Sequence, residues 1–314
     1  MGTTVLLGPQ RFMTTAGSTL RALGVEGPVA TVTAGWEERE DQDAELDTVL
    51  GGGSRNLRLH HRLFDVLDKD PAFAAAATAF RDRHDELMAF YRLRLQVAME
   101  GVYAVQRRSS AHGTGALALA DAVEAVRRLD QWYAERLKDL YRELDATAPG
   151  SDVITWHRGE LAAALEGCAA LVVTGGHVGT LLRTLRLFPL SLPDDLPVVA
   201  WSAGAMALTT KVVLFHDFAP HGSHEAEVYD RGLGRVPGVV ALPHARRRLR
   251  LEDRARCALL ARRVPDHRLL LLDDGTSVVF DGAQARPGGP AAYGPLPHSV
   301  RVLTTDGTVE EVPA

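Results

Sequence analysis

Four short apolar runs in this 314-residue chain are each followed at once by residues able to do acyl chemistry. "ALVVT" leads into Gly175-Gly176-His177, "VVAW" into Ser202, "VVALP" into His244, and "RLLLL" into Asp273-Asp274. A serine hydroxyl is a weak nucleophile until a neighbouring imidazole takes its proton. The imidazole in turn needs a carboxylate to fix its tautomer and stabilise its cation. A sharp strand-to-helix turn exposes the hydroxyl, and the small residues of "SAGA", Ser202 to Ala205, let backbone N–H groups approach a developing oxyanion. Ala203 N–H is one expected donor, and Gly175 or Gly176 N–H the other. For the acid, Asp274 competes with Asp273, and "DDG" is also a plain turn signature after a strand.

These residues have to be positioned by strands, and the pattern supplies them. "TTVLLGP" and "GPVATVTAG" flank a stretch of helical spacing from Thr14 to Leu23, a β-α-β opening. An acidic run and "GGGS" follow as loop signals. From about residue 57 to 144 the strand signals vanish. Met88, Tyr91, Leu95, Ala98, Val102 and Val105 step by three and four, as do Val123, Val126, Tyr133, Leu137 and Leu140 with Asp130 interrupting. Two long antiparallel helices joined at "RRSSAHGTG" satisfy this pattern, preceded by a shorter helix over Leu57 to Leu67, with Pro71 in a first helical turn. After "TAPGSD" strands and helices alternate again, ending in a hairpin with Asp306-Gly307 at its turn. Continuous apolar strands alternating with helices predict an α/β fold, a mostly parallel sheet with helices on both faces and an inserted α-helical hairpin. The expected division is an α/β domain over 1–45 and 149–314 and a helical insertion over 55–148. In open α/β sheets ligands gather at the carboxyl ends of the strands, which is where the four candidate segments fall.

The segments "TGGHVGTLL", "VVAWSAGAMAL", "VVALPHARRRLRL" and "RLLLLDDGTSVVFDG" resemble the peptidase E (aspartyl dipeptidase) and cyanophycinase family, serine hydrolases on the class I glutamine amidotransferase-like, flavodoxin-like three-layer fold. The resemblance implies Ser202 as nucleophile, His244 as general base, Asp274 as the acid, and Gly176 and Ala203 as oxyanion donors. It also implies Gly175, His177, Trp201, Arg248 and Arg250 as substrate contacts, a guanidinium fork suiting a substrate carboxylate. The chain departs from the family in having Asp274 where a glutamate is usual and His177-Val178 where Asn or Asp, often then Gln, follows the Gly pair. The helical block has no counterpart in the resemblance. Small acidic peptides of aspartyl or β-aspartyl type are the implied substrates, with no cofactor required.

The residues themselves also admit other readings. The run Arg246, Arg247, Arg248, Arg250 is also what a solvated helix start looks like. His216, His221 and His224 with Asp217 and Glu225 read as a polar loop rather than a zinc site, since no paired spacing supports a metal. An esterase or another amidase would keep the triad. Glutamine amidotransfer is disfavoured, because it uses a cysteine where Ser202 stands. A different class of reading makes the site silent and the hairpin a protein-binding or oligomerisation module, with a homodimer or a lid as uses for its outer faces. Net charge of −5 disfavours nucleic acid. Hydrophobic content of 46% and charged content of 24% suit a globular protein. The absence of a basic, apolar leader and of any run near ~20 apolar residues points to a cytoplasmic protein without a membrane span. Two distant cysteines, Cys168 and Cys257, are expected as reduced core thiols.

Overall fold

A computed structural model of the protein describes residues 2–215, 225–280 and 299–313. Six strands form the central sheet: β1 (Thr4–Leu7), β2 (Val29–Val32), β3 (Arg55–Asn56), β4 (Ala170–Val173), β5 (Val198–Trp201) and β10 (Ser277–Phe280). Their spatial order is β10-β1-β5-β4-β2-β3, parallel throughout except for the β10 edge. Alternation along the strands splits the core between the two faces. Val5, Leu7, Val172 and Val199 point to one face, where they pack with α1 (Ala16–Ala22) and α2 (Ala44–Leu50) through Leu20 and Leu46. Leu6, Leu171, Val173, Val198 and Ala200 point to the other, against α3 (Leu59–Lys69), α6 (Asp152–Leu165) and α7 (Val178–Leu187). Both faces are therefore covered, as the uninterrupted apolar strands require.

The structure departs from a single sheet in its second half. β8 (Val239–Pro243) and β9 (Arg268–Leu272) pair in parallel, and β9 then pairs with the C-terminal hairpin of β11 (Ser299–Leu303) and β12 (Val309–Pro313) in a separate four-stranded sheet. β6 (Lys211–Leu214) and β7 (Glu227–Arg231) form a third, two-stranded antiparallel sheet that the apolar pattern did not announce. The chain crosses from the second sheet to the first in the turn between β9 and β10, the stretch that carries Asp273 and Asp274. Residues of both sheets, such as Leu6, Val198, Val239 and Leu270, share one buried cluster.

The long helices α4 (Pro71–Gln106) and α5 (Thr114–Asp145) form the expected antiparallel hairpin, with Pro71 in the first turn of α4 and the Asp70 side chain capping Phe73 N–H. Their seam buries Met88, Tyr91, Leu95, Met99 and Val102 against Val123, Val126, Leu129, Tyr133 and Leu137, and Tyr91 stacks on Tyr133 at 4.4 Å between ring centroids. Met99 is buried in the seam, Ala98 packs at its edge, and Val105 is not part of it. Asp130, the polar interruption, is buried and chelates Arg263 of α10 (Arg254–Arg263) through two bonds of 2.8 and 3.0 Å, while Tyr91 donates to it at 2.7 Å. This pair ties the hairpin to the second sheet's helix. Cys257 is buried on α10, whereas Cys168 is only half-buried after α6, and both are free thiols.

No helix among the described residues is long and apolar enough to cross a membrane. His216, Asp217, His221 and His224 lie outside the described residues; Glu225 accepts a hydrogen bond from Tyr103 of α4 at 3.0 Å. Removing one member of a buried ion pair strands the other charge, at a cost of about 3–5 kcal/mol. Asp130→Ala is therefore expected to lower the unfolding free energy by about that amount in chemical denaturation, a far larger loss than at an exposed pair.

Candidate active site

Ser202 occupies the single residue between β5 and α8 (Ala203–Leu208), with φ 48° and ψ −118°. A non-glycine residue in this region carries strain of order 1–3 kcal/mol, which the surroundings must impose. They do so by close packing. A Cβ at Gly204 would lie 2.4 Å from the Val173 carbonyl oxygen and 2.5 Å from that of Thr174, so only glycine lets α8 start this near the end of β4. A Cβ at Gly175 would meet Ser202 Cβ at 3.1 Å, which places the Gly pair directly beside the elbow. Gly176, at φ +118°, packs on Gly35 after β2, where a Cβ would be 2.1 Å from the Gly35 oxygen. The same Gly35 carbonyl accepts from His177 N–H at 2.7 Å.

The N–H of Ala203 stands at the first helical position, where no intrahelical carbonyl reaches it. Neither it nor the N–H of Gly176 has a backbone acceptor among the described residues. Gly176 and Ala203 line the same cleft as Ser202.

His244 follows β8 and is likewise held at positive φ, 57°, with its N–H donating to Leu272 of β9 at 3.0 Å. It opens the short helix α9 (Ala245–Arg248). Burial, followed by the nearby Arg248 charge, lowers the His244 pKa, against an upward pull from Asp274 and a weaker one from Asp273. The neutral ring is therefore favoured. The two aspartates differ in what they already hold. Asp273 is buried, its Oδ1 accepting from Arg246 N–H and its Oδ2 from Arg301, each at 2.9 Å. Asp274 has, among the described residues, one distant partner, Arg247 at 3.5 Å, itself stacked over Phe12.

Ser202, His244, Gly175, Gly176, His177, Trp201, Ala203 and Arg248 all line one cleft of about 990 Å³. Arg250 does not line it, and neither aspartate is part of its wall. The nucleophile side comes from the central sheet and the histidine side from the second, so the cleft lies between two sheets rather than along one edge. His177 caps α7, its Nδ1 accepting from Thr180 N–H at 3.1 Å. Trp201 is buried at the end of β5.

The cleft also holds residues that sequence reasoning missed: Gln10 and Arg11 after β1, Trp36 and Arg39 after β2, and Tyr229 on β7. Those after β1 and β2 belong to the same carboxyl edge as Ser202, so the rule that located the serine also reaches them. Tyr229 carried no such signal, since β7 was not foreseen. Arg11, Arg39 and Arg248 against Glu45 make the lining cationic. Among the described residues no cluster of His, Cys, Asp and Glu is arranged to hold a metal ion.

A doubly covered, mostly parallel sheet with a strained serine at a strand-to-helix turn defines an α/β protein with its cleft at the carboxyl ends of the strands. The family model described as peptidase family S51 matches residues 123–287, more than half of the chain, and the chain belongs to that family, the peptidase E and cyanophycinase family. It is a peptidase by family. No curated protein matches it in sequence. A crystal structure of a peptidase from an acI-B1 Actinobacterium aligns with 100% of this chain and 95% of its own, at 13% identity and a TM-score of 0.49.

Forcing a Cβ between α8 and the β4 carbonyls is overpacking against backbone, which typically costs about 1–3 kcal/mol. Gly204→Ala is expected to lower the melting temperature accordingly. A variant as stable as wild type would show that the elbow is not held by this contact.

Proposed function

We propose that the protein is a serine peptidase that cleaves amide bonds of small acidic peptides through an acyl-enzyme. The observation that carries this reading is the strained Ser202 elbow, facing the same cleft as a neutral-biased His244 and two unbonded N–H donors. In the first half-reaction Ser202 Oγ attacks the scissile carbonyl carbon while His244 accepts the hydroxyl proton. The resulting oxyanion is received by Gly176 and Ala203 N–H. His244 then returns the proton to the departing amine, and a water activated by the same imidazole releases the acid product and frees Ser202. Asp274 orients the ring and supports its cationic form, since its carboxylate is the less committed of the pair, whereas Asp273 pins the start of α9 to Arg301. Arg248, with Arg11 and Arg39, favours a substrate carboxylate.

The test is mass spectrometry of a library of short peptides bearing N-terminal Asp, Glu, β-aspartyl-Arg or neutral residues. Wild type is expected to cleave the acidic members, and Ser202→Ala to cleave none. Asp274→Asn should lower kcat by about 10³–10⁴-fold with the fold intact, while Asp273→Asn should chiefly lower stability. The reverse ranking would exchange their roles. Activity also depends on neutral His244. Because its pKa is lowered, the neutral form persists to more acidic pH, so the acid limb of kcat/KM is expected below the ordinary histidine value of 6.5. A limb above that value would count against His244 as the base.

A further inference from the structure

Among the described residues β7 has one hydrogen-bonded neighbour strand, β6, and a two-stranded ribbon is marginal by itself. Its other support is the helical hairpin, which grips four successive residues. Arg92 of α4 chelates the Glu227 carboxylate at 2.9–3.1 Å, and the Tyr91 hydroxyl accepts from Val228 N–H at 3.0 Å. From α5 the Tyr133 hydroxyl donates to the Tyr229 carbonyl at 2.9 Å, and the Tyr141 hydroxyl donates to Asp230 at 2.7 Å. Arg186 of α7 closes on the same Asp230 carboxylate at 2.8 and 3.0 Å.

Of these four residues, Tyr229 is the one that lines the cleft with Ser202 and His244. Its hydroxyl oxygen lies over the first turn of α7, where a Cβ at Gly179 would be 2.2 Å from it and 3.0 Å from His177 Cε1. Glycine at 179 thus makes room for the phenol beside the His177 ring. Among the described residues the Tyr229 hydroxyl has no hydrogen-bond partner, although its ring is edge-on to His84 at 6.3 Å and its carbonyl is fixed by Tyr133. Burial and the Asp230 charge raise its pKa, so it remains a neutral donor across the working range. A partly buried donor left open toward a cleft, on a strand held at four successive residues by the hairpin, has the attributes of a ligand contact.

We propose that Tyr229 is a substrate-positioning residue whose hydroxyl donates to an oxygen of the bound peptide, and that the helical hairpin sets its place by fixing β7. This rests on the peptidase reading above and assigns the insertion a part in substrate binding at the same site.

The experiment uses the full chain and the best-cleaved peptide of the library. Tyr229→Phe keeps the ring and removes the donor. It is expected to raise KM by about 10-fold or more, the scale of a hydrogen bond to a charged or carbonyl oxygen, with kcat little changed and the melting temperature unaltered. Tyr133→Phe removes the bond to the Tyr229 carbonyl without touching the cleft, and should raise KM in the same direction. The double variant should show less than the product of the two effects. Unchanged KM in Tyr229→Phe overturns the role of the hydroxyl. A Tyr133→Phe variant that loses stability with KM unchanged, or effects that simply multiply, overturns the positioning by the hairpin. A fluorophosphonate probe that labels the Ser202 hydroxyl separates these outcomes from failure of the underlying reading. Wild type that is neither labelled nor active overturns both proposals, whereas wild type that is labelled and active beside an indistinguishable Tyr229→Phe overturns this one alone.

Discussion

Backbone is packed directly on backbone at the carboxyl edge of the central sheet, and the site exists because of it. Gly176 lies on the Gly35 carbonyl, Gly204 on the carbonyls of Val173 and Thr174, and Gly8, after β1, on the Asp273 carbonyl, which a Cβ would approach to 1.8 Å. Each contact joins the end of one strand to the turn after another. Together they draw the loops after β1, β2, β4, β5 and β9 into one ring of short connections, with Ser202 at its strained point. The strain at Ser202 and His244 is tolerable because these contacts, and the helices that begin immediately after each residue, leave the chain few other courses.

The second constraint is the joining of two sheets. Ser202 belongs to the central sheet and His244 to the four-stranded one, and their relative placement is held by features of different kinds. The chain itself returns from β9 to β10 through the Asp273–Thr276 turn, with Gly8 N–H bound to the Thr276 carbonyl at 2.8 Å. Beyond α8, Leu233 and Val236 N–H donate to Ala207 and Leu208 carbonyls at 2.7 and 2.9 Å, tying the approach to β8 onto the helix that Ser202 begins. The hairpin adds a third brace through Asp130 and Arg263, and through the side chains that hold β7. The placement of Ser202 relative to His244 is thus a property of sheet-to-sheet packing.

Much of the fold was legible because its signals are local. Uninterrupted apolar strands, three-and-four spacing over two long helices, Pro71 at a helix start and Asp306-Gly307 at a hairpin turn each need no knowledge of distant residues. The elbow was legible for the same reason: strand, serine and three small residues are contiguous. The short strands β6 and β7 were not, since their residues alternate weakly, β6 pairs only with β7 among the described strands, and β7 is held by hydrogen bonds with Arg92, Tyr91, Tyr133 and Tyr141, all more than eighty residues away in the chain.

What the amino-acid sequence determined by itself was the set of elements and the residue types at their ends: the Ser202 elbow, the Gly pair, His244 and the two aspartates. Tertiary structure alone decided which of these share a space. It placed Arg248 on the cleft and Arg250 off it, committed both oxygens of Asp273 to Arg246 N–H and Arg301, and brought Tyr229 into the wall. The physical reason is that strand and helix formation follow from neighbours in the chain, whereas the partner of a side chain at a strand end depends on which sheet its strand joins. Here the two halves of the site joined different sheets, a choice made by long-range pairing and burial that no local pattern records.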